Sequence, residues 1–306
     1  MAARRPRPTL RQLEYLVAVA EALSFRAAAA ACHVSQPALS EQIRLLEEQL
    51  GVRLLERDSQ RVALTAAGEH VLERARAVLG DVDSLVDAAL GAGGPLSGPL
   101  SLGAIPTVAP YVLPGLVAAT RRTHPRLRLV LREAQTSALL EELRAGRLDA
   151  ALLALPVGGA GLASVPLFDD PFLLAVPRGH RLSGKAPARL SDLKRAEVLL
   201  LEDGHCLRDQ ALALCGEAGA EEAGDVRATS LRTLTRLVAA GLGVTLLPTL
   251  ARDEAADGVQ VREFKAPAPG RTIGLVWRAA SARVAEFLML AEALRTALPE
   301  GVTARE

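Results

Sequence analysis

The sequence predicts a small α+β domain with a two-stranded wing, then a long linker helix, then a two-lobed α/β domain. Three observations carry this. Apolar residues recur at helical spacing from residue 10 to residue 50. The run GAGGPLSGP at 91–99 is dense in Gly and Pro and reads as a hinge linker. Beyond it, short apolar runs alternate with helical patterns, the rhythm of βαβ units and a parallel sheet.

Residues 1–8 are an Arg/Pro-rich tail, expected to be disordered. The first domain spans 9–65. Leu10, Leu13, Leu16, Val17 and Ala20 share one face of a helix over 10–23. FRAAAAAC at 25–32 is helical by its alanine content. His33-Val34 makes a short turn. Ser35 then offers an N-cap and Pro37 sits in the first turn, where a missing N–H costs little. That helix runs to Leu50, and Gly51 stops it. Two short β-like runs flank the polar Asp58-Ser59-Gln60 turn within 52–64, forming the wing. A helix over 66–90 follows as linker and candidate dimerisation element.

The last domain covers 100–306. Strands are expected at Leu100–Ile105, Leu127–Arg132 and Ala150–Leu155, with helices at Val108–His124 and Leu139–Ala145. A second set begins with strand Phe172–Val176. It continues with strands Val198–Leu201 and Val244–Leu247 and helices near 206–218 and 230–240. Strand Thr272–Trp277 and a helix at 281–297 return to the first sheet. Lobe I then holds about 100–170 and 272–306, and lobe II about 171–271, joined by two crossovers.

The chain of 306 residues has a net charge of +1, so it is no general polyanion binder. Residues 1–61 nevertheless carry nine Arg against seven acids, a modest footprint for phosphates. No apolar run is long enough to span a membrane, and the N-terminus lacks a signal-peptide pattern. Three cysteines do not make a disulfide framework, which points to a reducing compartment.

Two short helices joined by a tight turn can seat the second in a major groove, here with the motif at about 25–44. Its first turn carries Ser35, Gln36, Pro37 and Ser40. Gln36 can pair bidentately with adenine, Ser40 can donate or accept, and Ala38 lets the helix sit close. Gln42 and Arg44 extend the set along the helix. Arg53, Arg57 and Arg61 on the wing suit phosphates, adding affinity without sequence information.

Cys206 and Cys215 frame a second candidate. On one helix, nine residues place them roughly 13.5 Å apart along the axis and on opposite faces. A disulfide requires Cα atoms within about 7 Å, so bonding them requires unwinding the helix. Cys206 follows His205 at the helix start and precedes Arg208. A helix N-terminus and nearby cations favour thiolate, which peroxide oxidises to sulfenic acid. Spacing alone leaves open a redox pair or two inert, buried thiols. A metal site is weaker, since the ligand spacing does not converge. Cys32 reads as a small buried hydrophobe, and Glu47-Glu48 as a solvated helix face. Gly241 and Gly243 make a lone GxG, weak evidence for a nucleotide.

The run FRAAAAACHVSQPALSEQIRLLEEQLGVRLLER, followed by VALTAAGE, closely resembles the LysR-type regulators. That resemblance implies an α+β winged helix-turn-helix, a dimerising linker helix and a two-lobed, periplasmic-binding-protein-like regulatory domain. It implies double-stranded DNA as partner, a homodimer, and a homotetramer. LEDGHCLRDQ resembles the peroxide-sensing members of that family, together with ATSL, VAAGLGVTLLP and RTIGLVWR downstream and IPTVAPYVLP and EAQT upstream. This further resemblance implies Cys206 as peroxidatic and Cys215 as resolving residue. Thr107, Thr136, His205, Arg208 and Asp209 would line the peroxide pocket, with Asp209 fixing Arg208 and Arg271 joining the charge network. No cofactor is implied, hydrogen peroxide being the oxidising signal. RNA polymerase and a cellular thiol reductant follow as partners, in a cytoplasmic, nucleoid-associated bacterial protein. The alternative is a metabolite-responsive regulator with an organic effector between the lobes, which has no need of LEDGHCLRDQ. A thiol peroxidase, in turn, has no need of a helix-turn-helix.

Overall fold

The computed structural model describes residues 7–57, 62–90, 94–299 and 301–305. It forms two compact units, the first centred on residues up to Leu90 and the second on the remainder. The expected disordered tail and Arg61 lie wholly or mostly outside the described residues, as does part of the 91–99 linker.

In the first unit, helix α1 (Leu10–Ala22) begins with a reciprocal cap: Thr9 accepts from the Gln12 amide while the Gln12 side chain accepts from the Thr9 amide. Helix α2 (Phe25–Ala31) is capped by Ser24, and α3 (Gln36–Leu50) by Ser35. Gly51 ends α3 in the left-handed conformation at φ 72°, the usual way a helix stops on glycine. Strands β1 (Leu55–Arg57) and β2 (Val62–Leu64) pair antiparallel as the wing. Helix α4 (Ala66–Leu90) starts on Thr65, whose hydroxyl accepts from the Gly68 amide at 2.9 Å and donates to the Arg53 carbonyl at 2.7 Å. A Cβ on Gly68 would lie 2.0 Å from the Leu54 carbonyl oxygen, so only glycine lets α4 approach the wing this closely. Leu16, Val19, Leu39, Ile43, Leu46 and Leu54 are fully buried and form the core.

Glu47 corrects an expectation. It is not a solvated partner of Glu48, because its Oε1 accepts the amides of Leu54 at 2.8 Å and Leu55 at 3.2 Å, tying α3 to the wing.

In the second unit, lobe I is built on β3 (Gly98–Ala104), β4 (Leu127–Glu133), β5 (Ala150–Leu155), β6 (Leu162–Pro177) and β11 (Gly270–Arg278). Helices α5 (Ala109–Thr123), α6 (Thr136–Arg144) and α9 (Val284–Thr296) pack around it. Strand β3 runs parallel to β4 and β5, as the βαβ rhythm predicts. The sheet is mixed rather than parallel, however: β11 is antiparallel to both β5 and β6. It enters from the other lobe, so no helical crossover sets its direction.

Strand β6 is the joint of the unit. Its first part pairs with β11, and its end, Phe172 to Pro177, pairs with β9 (Thr245–Pro248) and β10 (Val259–Glu263) in lobe II. Strand β7 (Glu197–Leu201) runs parallel to β8 (Glu221–Ala228), and a bridge from Val198 to Val244 ties that pair to the segment leading into β9. Helices α7 (Cys206–Ala218) and α8 (Leu231–Ala239) complete the lobe, and a two-residue strand, β12 (Thr303–Ala304), adds to β6. Among the described residues, no helix is long and apolar enough to cross a membrane.

Candidate functional site

The expected groove-reading face is carried by α3. Leu39, Ile43 and Leu46 bury one side completely, which turns the opposite side outward. Gln36 and Pro37 are exposed in the first turn, and Ser40 is half-buried one turn on. Gln36, Ser40 and Arg44 recur at four-residue steps and share a flank. Gln42 does not join them, since two residues turn it about 200° from Ser40. Ser35 is engaged as the cap, accepting the Ala38 amide at 3.4 Å. Arg44 pairs within its own helix with Glu41, at 2.6 Å, and with Glu48. Exposed pairs of this kind are worth little, so phosphate can displace them. Arg53 is exposed beside the wing, Arg57 ends β1, and Arg61 lies outside the described residues.

The thiol site is set by α7. His205 is its N-cap residue but makes no side-chain cap, and Cys206 is its first residue. The amides of this first turn therefore present their partial positive charge beside Cys206. Gly204 is required before it. Its φ is +91°, and a Cβ there would lie 2.4 Å from Gln135 Oε1. Gln135 in turn donates to the Asp203 carbonyl at 3.3 Å, joining the lobe I loop to the lobe II loop that leads into α7.

The two cysteines are free and lie at opposite ends of a continuous helix. Half-buried Cys206 packs on the lobe I core, while Cys215, 4% exposed, belongs to the lobe II core. Burial, assisted by Glu222, pushes the Cys215 thiol above its ordinary pKa. It is therefore held protonated.

A cavity of about 170 Å³ lies between the lobes, lined by Thr107, Tyr111, Glu133, His205, Ser230 and Glu254 among others. His205 is 6% exposed, with its Nε2 3.8 Å from Glu202. Thr107 is braced from behind by Arg271, which donates to its Oγ1 at 2.7 Å and to its carbonyl at 3.0 Å. Because that hydroxyl oxygen accepts from Arg271, its own hydrogen is free to donate. Arg271 is held in turn by Asp170 at 2.9 Å, both side chains being fully buried. Burial raises the Asp170 pKa, against the pull of Arg271. The Thr136 hydroxyl at the start of α6 is buried and has no hydrogen-bond partner among the described residues.

Arg208 and Asp209 stand apart from the expected arrangement. Asp209 is exposed, and the carboxylates that hold Arg208 are Asp203, at 2.9 Å, and Glu222, at 2.8 Å. The reason is helical geometry: adjacent residues on a helix point about 100° apart and do not face each other. Sequence reasoning missed Asp203, Glu222 and Asp170. Only Asp170 left a trace, as an acid inside the apolar run LFDDPFLL. Among the described residues, no cluster of three His, Cys, Asp or Glu side chains suits a metal ion.

A two-lobed domain following a winged helix-turn-helix defines a class of bacterial regulator, and the comparisons agree. The family model for the lysR family of bacterial regulatory helix-turn-helix proteins matches residues 10–69, and that for the LysR substrate binding domain matches residues 93–299. The chain belongs to the LysR family. Within it, the chain is 49% identical over 288 residues to the DNA-binding transcriptional dual regulator OxyR of Escherichia coli, covering 94% of each chain. A full-length cysteine-to-aspartate variant of Pseudomonas aeruginosa OxyR superposes with a TM-score of 0.78 at 38% identity, covering 95% of both chains. A hydrogen-peroxide-bound cysteine mutant of Corynebacterium glutamicum OxyR matches at 38% identity and a TM-score of 0.66, covering 96% of this chain and 94% of that one.

Proposed function

We propose that this chain is a DNA-binding transcription activator that senses hydrogen peroxide by oxidation of Cys206 and disulfide formation with Cys215, controlling oxidative-stress genes. The observation that carries it is the placement of the two thiols. Cys206 sits at an uncapped helix N-terminus where the two lobes meet, and Cys215 is nine residues on, buried in the other core.

The chemistry balances with these residues alone. The Cys206 thiolate attacks one peroxide oxygen, the O–O bond breaks, and hydroxide leaves and takes a proton to become water. Cys206 is then a sulfenic acid. The Cys215 sulfur displaces its hydroxyl, giving the disulfide and a second water. Two electrons have passed from the thiols to peroxide, and a cellular thiol reductant returns them. The supporting groups are Thr107, Thr136 and His205 around the reacting oxygen atoms, with Arg271 bracing Thr107. Arg208, expected beside the peroxide, supports the site through the position of α7 instead, held by Asp203 and Glu222, while Asp209 is exposed and does not hold it.

The cavity volume favours this reading over an organic effector. About 170 Å³ is well below the roughly 300–1,000 Å³ of sites for drug-sized ligands, which counts against a bulky effector, while Cys206 and Thr136 lie outside its lining and only Thr107 and His205 of the expected set face it. The output follows from unwinding α7, which rearranges the lobes and the dimers that α4 would hold together on DNA, within a tetramer that engages RNA polymerase.

Non-reducing peptide mapping before and after substoichiometric peroxide tests the reading, coupled to DNA footprinting. The Cys206–Cys215 peptide is expected only after peroxide, with an altered footprint. Cys206→Ser is expected to bind DNA and to lose the peroxide response entirely. A wild-type response in that variant would overturn the proposal.

A further inference from the structure

Arg208 occupies a position that the thiol chemistry gives a second consequence. It lies between Cys206 and Cys215, inside the stretch that must unwind for them to bond. Its side chain is 8% exposed and its guanidinium is held on three sides. Nε pairs with Asp203 at 2.9 Å, Nη2 with Glu222 at 2.8 Å, and Nη1 donates to the Leu201 carbonyl at 3.2 Å. These anchors come from the loop before α7, from β8 and from the end of β7. The first turn of α7 is thus stapled to three segments that do not themselves lie between the cysteines. Arg227 adds a second cation, 2.7 Å from Asp203, so the two carboxylates face two guanidinium groups and the cluster is electrically balanced.

We infer that Asp203 and Glu222 are positioning residues that latch α7 in the dithiol form by holding Arg208, and so set how oxidising the surroundings must be before the disulfide persists. The inference rests on the proposed Cys206–Cys215 chemistry. Neither carboxylate touches peroxide. They act on the equilibrium in which the protein disulfide and two glutathione thiols exchange for the protein dithiol and glutathione disulfide. Closing the protein disulfide pulls Arg208 away from all three acceptors. A hydrogen bond to a charged group contributes enough that removing one shifts an equilibrium by about tenfold or more. Weakening the latch therefore moves the exchange toward the disulfide.

The test equilibrates the full-length protein in glutathione buffers of graded ratio and counts thiols by alkylation and mass spectrometry. This reads the equilibrium and is independent of how fast peroxide reacts. Glu222→Gln, whose amide oxygen still accepts but carries no charge, is expected to shift the midpoint about fivefold toward more reducing buffers. In an Arg208→Gln background the same substitution is expected to add less than a twofold change, because its partner is gone. Should Glu222→Gln fail to fold, Asp203→Asn carries the test: its side chain is 74% exposed, and the shift has the same direction. A wild-type disulfide with an unshifted midpoint in both variants overturns the latch and leaves the sensing reading intact. A shift that persists in full in the Arg208→Gln background also overturns the latch, since Glu222 would then act elsewhere. A wild-type protein that forms no disulfide in any buffer overturns both.

Discussion

The helix expected to face DNA and the helix that carries the thiols are nearly the same length, 15 and 13 residues, and are built to opposite ends. Helix α3 has a side-chain cap at its start, a glycine stop, and one fully buried stripe of Leu39, Ile43 and Leu46. Everything about it favours a single conformation. Helix α7 has no side-chain cap, and its buried and half-buried residues face two different cores. Its first turn is held by ion pairs, and its two sulfurs meet only if the helix comes apart. A surface that must present the same groups at every encounter is carried by apolar packing. A segment that the proposed disulfide would undo is carried by polar contacts that can be exchanged for water.

The surroundings of α7 give this contrast its largest test. Asp170 and Arg271 are fully buried, and they brace Thr107 at the cavity. Asp170→Asn leaves Arg271 an uncompensated buried charge, an effect of about 3–5 kcal/mol. The single tryptophan, Trp277, lies in the lobe I core against Phe287, so its fluorescence reports that unit alone. Denaturation followed at Trp277 is expected to shift by that amount, with helix-turn-helix DNA binding unchanged below the transition. An unshifted Trp277 transition would mean that the pair does not hold the site.

On the other side of the comparison, Ile43→Ala removes a fully buried side chain from α3, costing about 2–5 kcal/mol. Here DNA affinity is expected to fall at 37 °C while the Trp277 transition stays in place. A variant that binds DNA normally with its first unit fully folded would show that the α3 core is looser than its packing indicates.

The same contrast explains what was legible in the sequence. Helix α3 could be bounded from Ser35, Pro37 and Gly51, because caps and stops are local chemistry. The extent of α7 and the opposite facing of its cysteines could be read from spacing alone. Strand β6 could not be read at its full length, because Pro166 and Pro171 interrupt the apolar pattern and proline counts against a strand. The structure accommodates Pro166 at an irregularity, where the register with β11 shifts between Ile273 and Gly274. Strand β8 was hidden for another reason: EEAGDVRA has no apolar alternation. The partners of the charged groups were out of reach. Arg271 finds Asp170 across 101 positions, and Arg208 bypasses its neighbour Asp209 for Glu222 on another strand. Pairings of that kind follow from the tertiary fold and leave no periodicity behind.

The smallest effect tests whether capping matters on the side where packing dominates. Ser35 accepts the Ala38 amide at 3.4 Å, the long end of a hydrogen bond, at an exposed site. Removing an N-cap side chain generally costs about 0.5–2 kcal/mol, and this long bond belongs at the lower end. Thr65 makes two shorter bonds, one capping α4 and one to the wing, so its loss belongs at the upper end. Ser35→Ala is therefore expected to lower the stability of the first unit by about 0.5 kcal/mol. Thr65→Val is expected to lower it by up to about 2 kcal/mol. Both are measured by thermal unfolding of the full chain, with DNA binding as the readout for the first unit. If Ser35→Ala proves the more damaging, the first turn of α3 is held by its cap rather than by the stripe beneath it, and the contrast with α7 narrows to the ion pairs alone.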